Sequence, residues 1–156
     1  MIPDVPSLRP KLRHTTPAWI DGGATYFVTI CVTVRGRRVL DAPDVAKVLL
    51  TAAANYHPGV WWCRIWLIMP DHVHGLVSIP NAESLAKTVS GWKRFTTRNA
   101  KVDWQENFFD HRLRRSESLD EKAAYIRANP VRAGLVEKAE DWPWVWVPDD
   151  IVATPQ

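Results

Sequence analysis

The sequence predicts an α+β domain in which helices pack on one antiparallel sheet. Stretches rich in β-branched and aromatic residues alternate with stretches of helical period, in the order β-α-β-β-α-β-α. Two of the strand stretches are separated by little more than Pro70 and Asp71, which makes them a hairpin and therefore antiparallel. The 156 residues are 46% hydrophobic and 24% charged, enough for one buried core and far from the composition of a disordered chain.

Each element has its own signature. Residues 1–20 are proline-rich and polar and read as an arm on the domain; without an apolar h-region, they are not expected to be a signal peptide. ATYFVTICVTV (24–34) has no breaker and reads as a strand. Val45, Val48, Leu49, Ala52 and Tyr56 recur at helical spacing, between Pro43 and Pro58–Gly59, and predict a helix over 43–57. VWWCRIWLIM (60–69) and HVHGLVSI (72–79) are the hairpin strands. Ser84 is expected to cap a second helix reaching about residue 100, with Leu85, Val89, Trp92 and Thr96 on one face. WQENFFDHRLR (104–114) reads as a fourth strand. Ser118 followed by Glu121 is a capping box for a helix over 119–129, which Pro130 ends or breaks into a new one.

Composition bounds the function. Cys31 and Cys63 are too few for a disulfide scaffold or a four-cysteine zinc site, and read as reduced thiols of a cytoplasmic protein. Arg64 interrupts the most apolar run, so no membrane span is expected. The formal charge of +3 is unevenly spread. Residues 1–38 carry six basic against two acidic side chains, residues 87–115 eight against three, and residues 137–150 one against five. Such polarisation suits a nucleic-acid partner and equally suits solvated helix faces. Of the nine tryptophans, most belong to a core, and up to about a quarter could instead stack unpaired bases.

Two segments can carry chemistry. In MPDHVHGLV (69–77) strand alternation points His72 and His74 to one side, about 7 Å apart at their backbones, close enough to share a metal ion. An isolated HxH on a strand is also a common structural accident. In EKAAYIRANP (121–130) Tyr125 and Asn129 are spaced i, i+4 on one helix face. A phenol can act as a covalent nucleophile, and an amide oxygen can ligate a hard cation. Equally, Tyr125 could be a packing residue and Asn129 a helix stop or the cap of whatever Pro130 begins.

Taken in order, MPDHVHGLV, WQENFFDHRL, YIRANPVRAGLV and DWPW resemble the REP-associated tyrosine transposases, relatives of the single-tyrosine HUH (His, hydrophobic, His) transposases. The resemblance spans residues 24–146 and implies a ferredoxin-like sheet with the HUH motif on a central strand. It divides the chain into an arm (1–20), an HUH transposase-like catalytic domain (21–147) and a tail (148–156). It implies His72 and His74 as metal-binding catalytic residues, Tyr125 as nucleophile and Asn129 as third ligand. His111 matches a position where histidine is common, without a role attached. Where serines commonly follow DWPW, this chain has Val145–Trp146.

The implied activity is a divalent-metal strand transferase that cleaves hairpin-forming single-stranded DNA through a 5′-phosphotyrosine. Ligand softness alone would favour zinc, nickel or manganese for two imidazoles, whereas the family implies magnesium or manganese. Lys87, Lys93, Arg94, Arg98, Arg112, Arg114, Arg115 and Arg13 are the expected DNA contacts, and the protein is expected as a monomer or homodimer. Rival readings are a catalytically inactive hairpin-binding regulator and a metal-dependent hydrolase of a small substrate, which would leave Tyr125 idle.

Overall fold

A computed structural model describes residues 23–81 and 84–148, so the arm with Arg13 and Trp19, and residues 149–156 of the tail, lie outside the described residues. The element order is β1 (Ala24–Cys31), α1 (Pro43–Tyr56), β2 (Trp62–Ile68), β3 (His72–Ile79), α2 (Ser84–Ala100), β4 (Phe109–Arg112), α3 (Leu119–Arg127), α4 (Asn129–Arg132), a 3₁₀ turn (Ala139–Asp141) and β5 (Val145–Trp146). The strands form one antiparallel sheet in the order β4-β1-β3-β2-β5, with the HxH strand at its centre. Its first four strands and two crossover helices have the expected ferredoxin-like connectivity.

Residues opposite one another on neighbouring strands share a face. On one face, β1 presents Val28 and Ile30 beside Gly75 and Val73 of β3, and Trp66 of β2 stands opposite Gly75. Helices α1 and α2 cover this side. Their contact with it is aromatic: the ring centroids of Trp61 and Trp66 lie 4.9 Å apart, Trp66 and Trp92 5.0 Å, and Trp92 and Trp104 5.2 Å. Gly75 is required here because a Cβ would sit 2.3 Å from the Trp66 ring. All eight tryptophans among the described residues are buried, so none of them is a platform for bases.

The other face presents Thr25, Phe27, Thr29 and Cys31 of β1 beside Ser78, Leu76, His74 and His72 of β3, with Ile65 and Leu67 of β2. Helix α3 packs over the β2–β3 side of it and buries Ile126 completely. The β1–β4 side is left more open, and Phe109 of β4 is 69% exposed.

Several elements differ from the sequence expectation. β1 stops at Cys31 rather than at residue 34, because the next segment is bonded elsewhere: Thr33 N–H donates to the Asp103 carbonyl, and Gly36 N–H to the Asp71 carboxylate. The fourth strand is four residues, not eleven. Lys93 Nζ donates to the Gln105 and Glu106 carbonyls at 2.7 and 2.9 Å, and the stretch pairs with the β1 chain only at the isolated Val32–Trp104 bridge. Ser84 lies inside α2, and its hydroxyl donates to the Asn81 carbonyl at 2.6 Å rather than accepting a helix N–H. Ser118 does cap α3, accepting from Glu121 N–H at 3.2 Å.

Helix α3 ends at Arg127, two residues before the expected stop, and Asn129 opens α4. Pro130 has no N–H to give the Ile126 carbonyl, and the Asn129 side-chain amide donates to that oxygen at 3.2 Å instead. The residues after DWPW, where the chain departs from the pattern it resembles, are β5 itself. There Trp142 Nε1–H donates to the Ile68 carbonyl at 2.9 Å, and Trp146 stands opposite Trp66.

Candidate metal centre and nucleophile

The β-strand period explains the pairing of imidazoles. Positions 72 and 74 of β3 fall on the half-open face, and Val73 between them is fully buried on the other. The two Nε2 atoms lie 3.1 Å apart. Two nitrogens bound to one ion at about 2.1 Å each, near a right angle, would be about 3 Å apart, so this spacing fits adjacent positions in one coordination sphere.

The outer nitrogens are held as metal-ligating histidines usually are. His72 Nδ1 lies 2.7 Å from Asp71 Oδ1; a carboxylate only accepts, so that nitrogen carries a proton and Nε2 is the atom turned toward His74. Asp71 is fixed in turn by Arg35 Nε and Gly36 N–H, both at 2.9 Å. Burial pushes the Asp71 carboxyl up, but the bonds from Arg35, His72 and Gly36 outweigh it and hold the group far below the usual carboxylate range. His74 Nδ1 faces Thr29 Oγ1 at 2.9 Å. Burial first, then the neighbouring His72, Arg132 and Arg35, push the His74 imidazole down to about 3, so it is neutral at pH 7 with a free lone pair. The donor chemistry therefore fits a divalent cation.

Among the described residues, no group of three His, Cys, Asp or Glu side chains closes around one point. A third protein donor to an ion held by the two imidazoles would have to be of another kind. Asn129 spends its Nδ2 on the Ile126 carbonyl, so Oδ1 is the atom it could offer a cation. The simple i, i+4 stack expected of Tyr125 and Asn129 is not what forms, since the helix breaks between them.

Tyr125 stands on α3, the helix over the histidine face, and is 56% exposed. By contrast Tyr26 is buried in β1, and Tyr56 stacks edge-on against Trp61 at 5.1 Å. Arg132 of α4 reaches back over Tyr125: its guanidinium carbon is 3.9 Å from the ring centroid, and a terminal N–H donates to the Tyr125 carbonyl at 2.7 Å. His111 shares the histidine face of the sheet, because it stands opposite Phe27. Its Nε2 bonds Glu117 at 3.0 Å, and Glu117 also accepts from Arg114 N–H at 2.8 Å, so His111 ties β4 to the turn that leads into α3.

The expected DNA contacts fall into two groups. Lys87, Arg94 and Arg98 are exposed on α2, across the sheet from the histidines, with Arg94 and Arg98 lining a shallow cleft with Lys101. Lys93 is half-buried and occupied by its two carbonyls. Arg112, Arg114 and Arg115 are exposed at β4 and the turn after it. The C-terminal end of α2 lies at the same end of the sheet as His72: Gln105 N–H donates to the Cys31 carbonyl, and Cys31 stands opposite His72.

Sequence reasoning missed three residues of this site. Asp71 carried a signal, being next to His72 in the quoted motif. Arg132 also lay in the string YIRANPVRAGLV, seven residues from Tyr125, but beyond the break at Pro130, across which a helical spacing could not be assumed. Thr29 carried none, because only strand register brings it to His74.

Paired imidazoles on a central strand, with a tyrosine-bearing helix across the same face, define a single-tyrosine protein of the HUH class. No family model matches the chain. A REP-associated tyrosine transposase of Escherichia coli (strain K12) is 31% identical over 128 residues, covering 78% of this chain and 75% of the relative. A protein of Haemophilus influenzae (strain ATCC 51907 / DSM 11121 / KW20 / Rd) under the same family name is 30% identical over 142 residues, covering 78% of each. On this similarity the chain belongs to the REP-associated tyrosine transposases. The fold agrees: a solved REP-associated tyrosine transposase bound to a REP hairpin superposes with a TM-score of 0.66 at 24% identity, over 79% of this chain and 76% of that one. Both cysteines are free and buried, and among the described residues no helix is long and apolar enough to cross a membrane.

Proposed function

We propose that the chain is a metal-dependent nuclease and strand transferase that cleaves hairpin-forming single-stranded DNA through a covalent 5′-phosphotyrosine. The observation that carries this reading is the meeting, on one half-open sheet face, of an imidazole pair with Nε2 atoms 3.1 Å apart and the helix bearing an exposed tyrosine. Hairpin DNA is the substrate that suits the family, one of whose members is solved with a REP hairpin.

His72, His74 and Asn129 Oδ1 would hold a magnesium or manganese ion, which when bound supplies positive charge to a non-bridging phosphate oxygen. Asp71 and Thr29 orient the two rings, so both Nε2 atoms stay aimed at one point. The exposure of Tyr125 lets a DNA strand reach its hydroxyl. Attack by that oxygen at phosphorus forms the Tyr–O–P bond, breaks the bond to the 3′ oxygen and releases a 3′-hydroxyl, with the phenolic proton lost to solvent. The covalent ester conserves the phosphodiester's energy, so the same site rejoins strands without a nucleotide cofactor. The exposed arginines of α2 and of the turn after β4 offer phosphate contacts beyond the reacting strand.

Tyr125→Phe tests the reading with little loss of packing, since it removes one exposed oxygen. With labelled single-stranded hairpin DNA and manganese, the wild type should give a shifted protein–DNA band on a denaturing gel. The phenylalanine variant should bind the hairpin and give no band. A band from the variant would remove Tyr125 as nucleophile. No band from the wild type with any single-stranded substrate would favour the hairpin-binding regulator.

A further inference from the structure

We propose that Arg132 is a catalytic residue that grips the scissile phosphate beside Tyr125, an assignment that rests on the strand-transfer reading above. Two contacts put its guanidinium on the nucleophile: it lies 3.9 Å from the Tyr125 ring centroid and donates to the Tyr125 carbonyl at 2.7 Å. Tyr125 stands on α3, which packs against β2 and β3, so the guanidinium lies on the element that covers the histidine strand. A phosphate placed between Tyr125 and the histidines therefore meets it.

The backbone explains how Arg132 gets there. Pro130 ends α3 and starts a second short helix, and the new turn carries position 132 back over position 125. Of the five guanidinium N–H donors, one is used on the Tyr125 carbonyl, which fixes the plane while others remain for an anion. Arginine suits this task because its planar fork binds phosphate oxygens and stacks on an aromatic ring at once. In the step itself the Tyr125 oxygen gains its bond to phosphorus, the 3′ oxygen departs and takes a proton from water, and Arg132 offsets the charge gathering on a non-bridging oxygen.

The competing role is structural, with Arg132 merely closing the α3–α4 break. Arg132→Gln separates the two, because glutamine keeps a donor for the carbonyl and loses the charge. Single-turnover adduct formation is measured on a hairpin with a normal scissile phosphodiester, and on one with an uncharged methylphosphonate there. Thermal melting and hairpin binding are followed in parallel. Arg132→Gln should slow adduct formation on the phosphodiester by about 10²–10³-fold. Its deficit should shrink at least tenfold on the methylphosphonate, where there is less charge to hold. Arg132→Lys should recover part of the loss. An unchanged rate, or an equal deficit on both substrates, would overturn the assignment while the wild-type adduct still upholds the strand-transfer reading. Absence of any wild-type adduct would overturn both.

Discussion

The two faces of the sheet are built from the same five strands and serve opposite ends. The face under α1 and α2 is closed: a chain of tryptophan rings fills it from Trp61 to Trp104, so tightly that position 75 tolerates no side chain. The opposite face is only partly covered, by α3, and its polar residues bond outward to one another from Arg35 through Asp71 and His72 to His74 and Thr29. Imidazoles on a closed face would lose access to a substrate, and on a fully open one their orientation. A rigid apolar layer behind a partly open polar one gives the site both, because packing of the first fixes the backbone from which the second projects.

That contrast is broken most sharply by substitutions at adjacent positions of β3. His72→Ala and His74→Ala should each abolish strand cleavage and lower manganese affinity by calorimetry, while leaving the melting temperature close to wild type. Gly75→Ala should do the reverse, costing about 1–3 kcal/mol in urea unfolding as the Trp66 ring is forced aside, with cleavage retained in the folded fraction. If Gly75→Ala is neutral, or a histidine variant keeps cleaving, the division of labour between the faces is wrong. Asn129→Ala should be milder than either histidine change, since water can replace one neutral ligand.

A smaller effect concerns the reach of DNA around the sheet. Arg94 and Arg98 are free on α2 at the end of the sheet nearest His72, so replacing both with alanine should flatten the dependence of log hairpin affinity on log salt by up to about two units. Adding Lys93→Ala should leave the slope where it is, because that ammonium serves two carbonyls, and should lower stability instead. A further flattening with Lys93→Ala would show that it contacts phosphate.

The smallest effect lies at the β4–α3 corner. The Arg114 N–H first, then His111 and Lys122, hold the Glu117 carboxyl down to about 2 from an ordinary 4.5. A carboxylate with a lowered folded value stabilises above its unfolded value and loses that contribution as pH falls toward the folded one. Glu117→Gln should therefore flatten the fall in melting temperature between about pH 4.5 and 2 relative to wild type. An unchanged profile would mean the corner opens without Glu117 protonating.

Much of this was readable from local pattern. The period of two places His72 and His74 together, and the period of 3.6 with its prolines outlines α1 almost to the residue. The Ser118 cap follows from a backbone donor that lacks a helical partner, and the break at Pro130 from a carbonyl that lacks a donor. These features depend on near neighbours in the chain, where geometry is set by covalent structure and by the alternation of apolar and polar residues. They also include the motif strings by which the family resemblance is carried.

Other features depend on which distant segments meet. Strand order brings Thr29 to His74 across 45 positions, and nothing at position 29 announces it. Basic spacing on α2 made Lys93 equivalent to Arg94, yet one is consumed by a loop and the other faces solvent. Composition left room for tryptophans as base platforms, and the eight described ones are all buried, since their large apolar area is best removed from water. The sequence by itself determined α1, the β2–β3 hairpin, the imidazole pair and the tyrosine's helix, because each is a short-range consequence of residue type and spacing. Only the tertiary structure decided which face stays open, what orients each ring and that Arg132 lies on Tyr125, because those outcomes belong to contacts that no local pattern encodes.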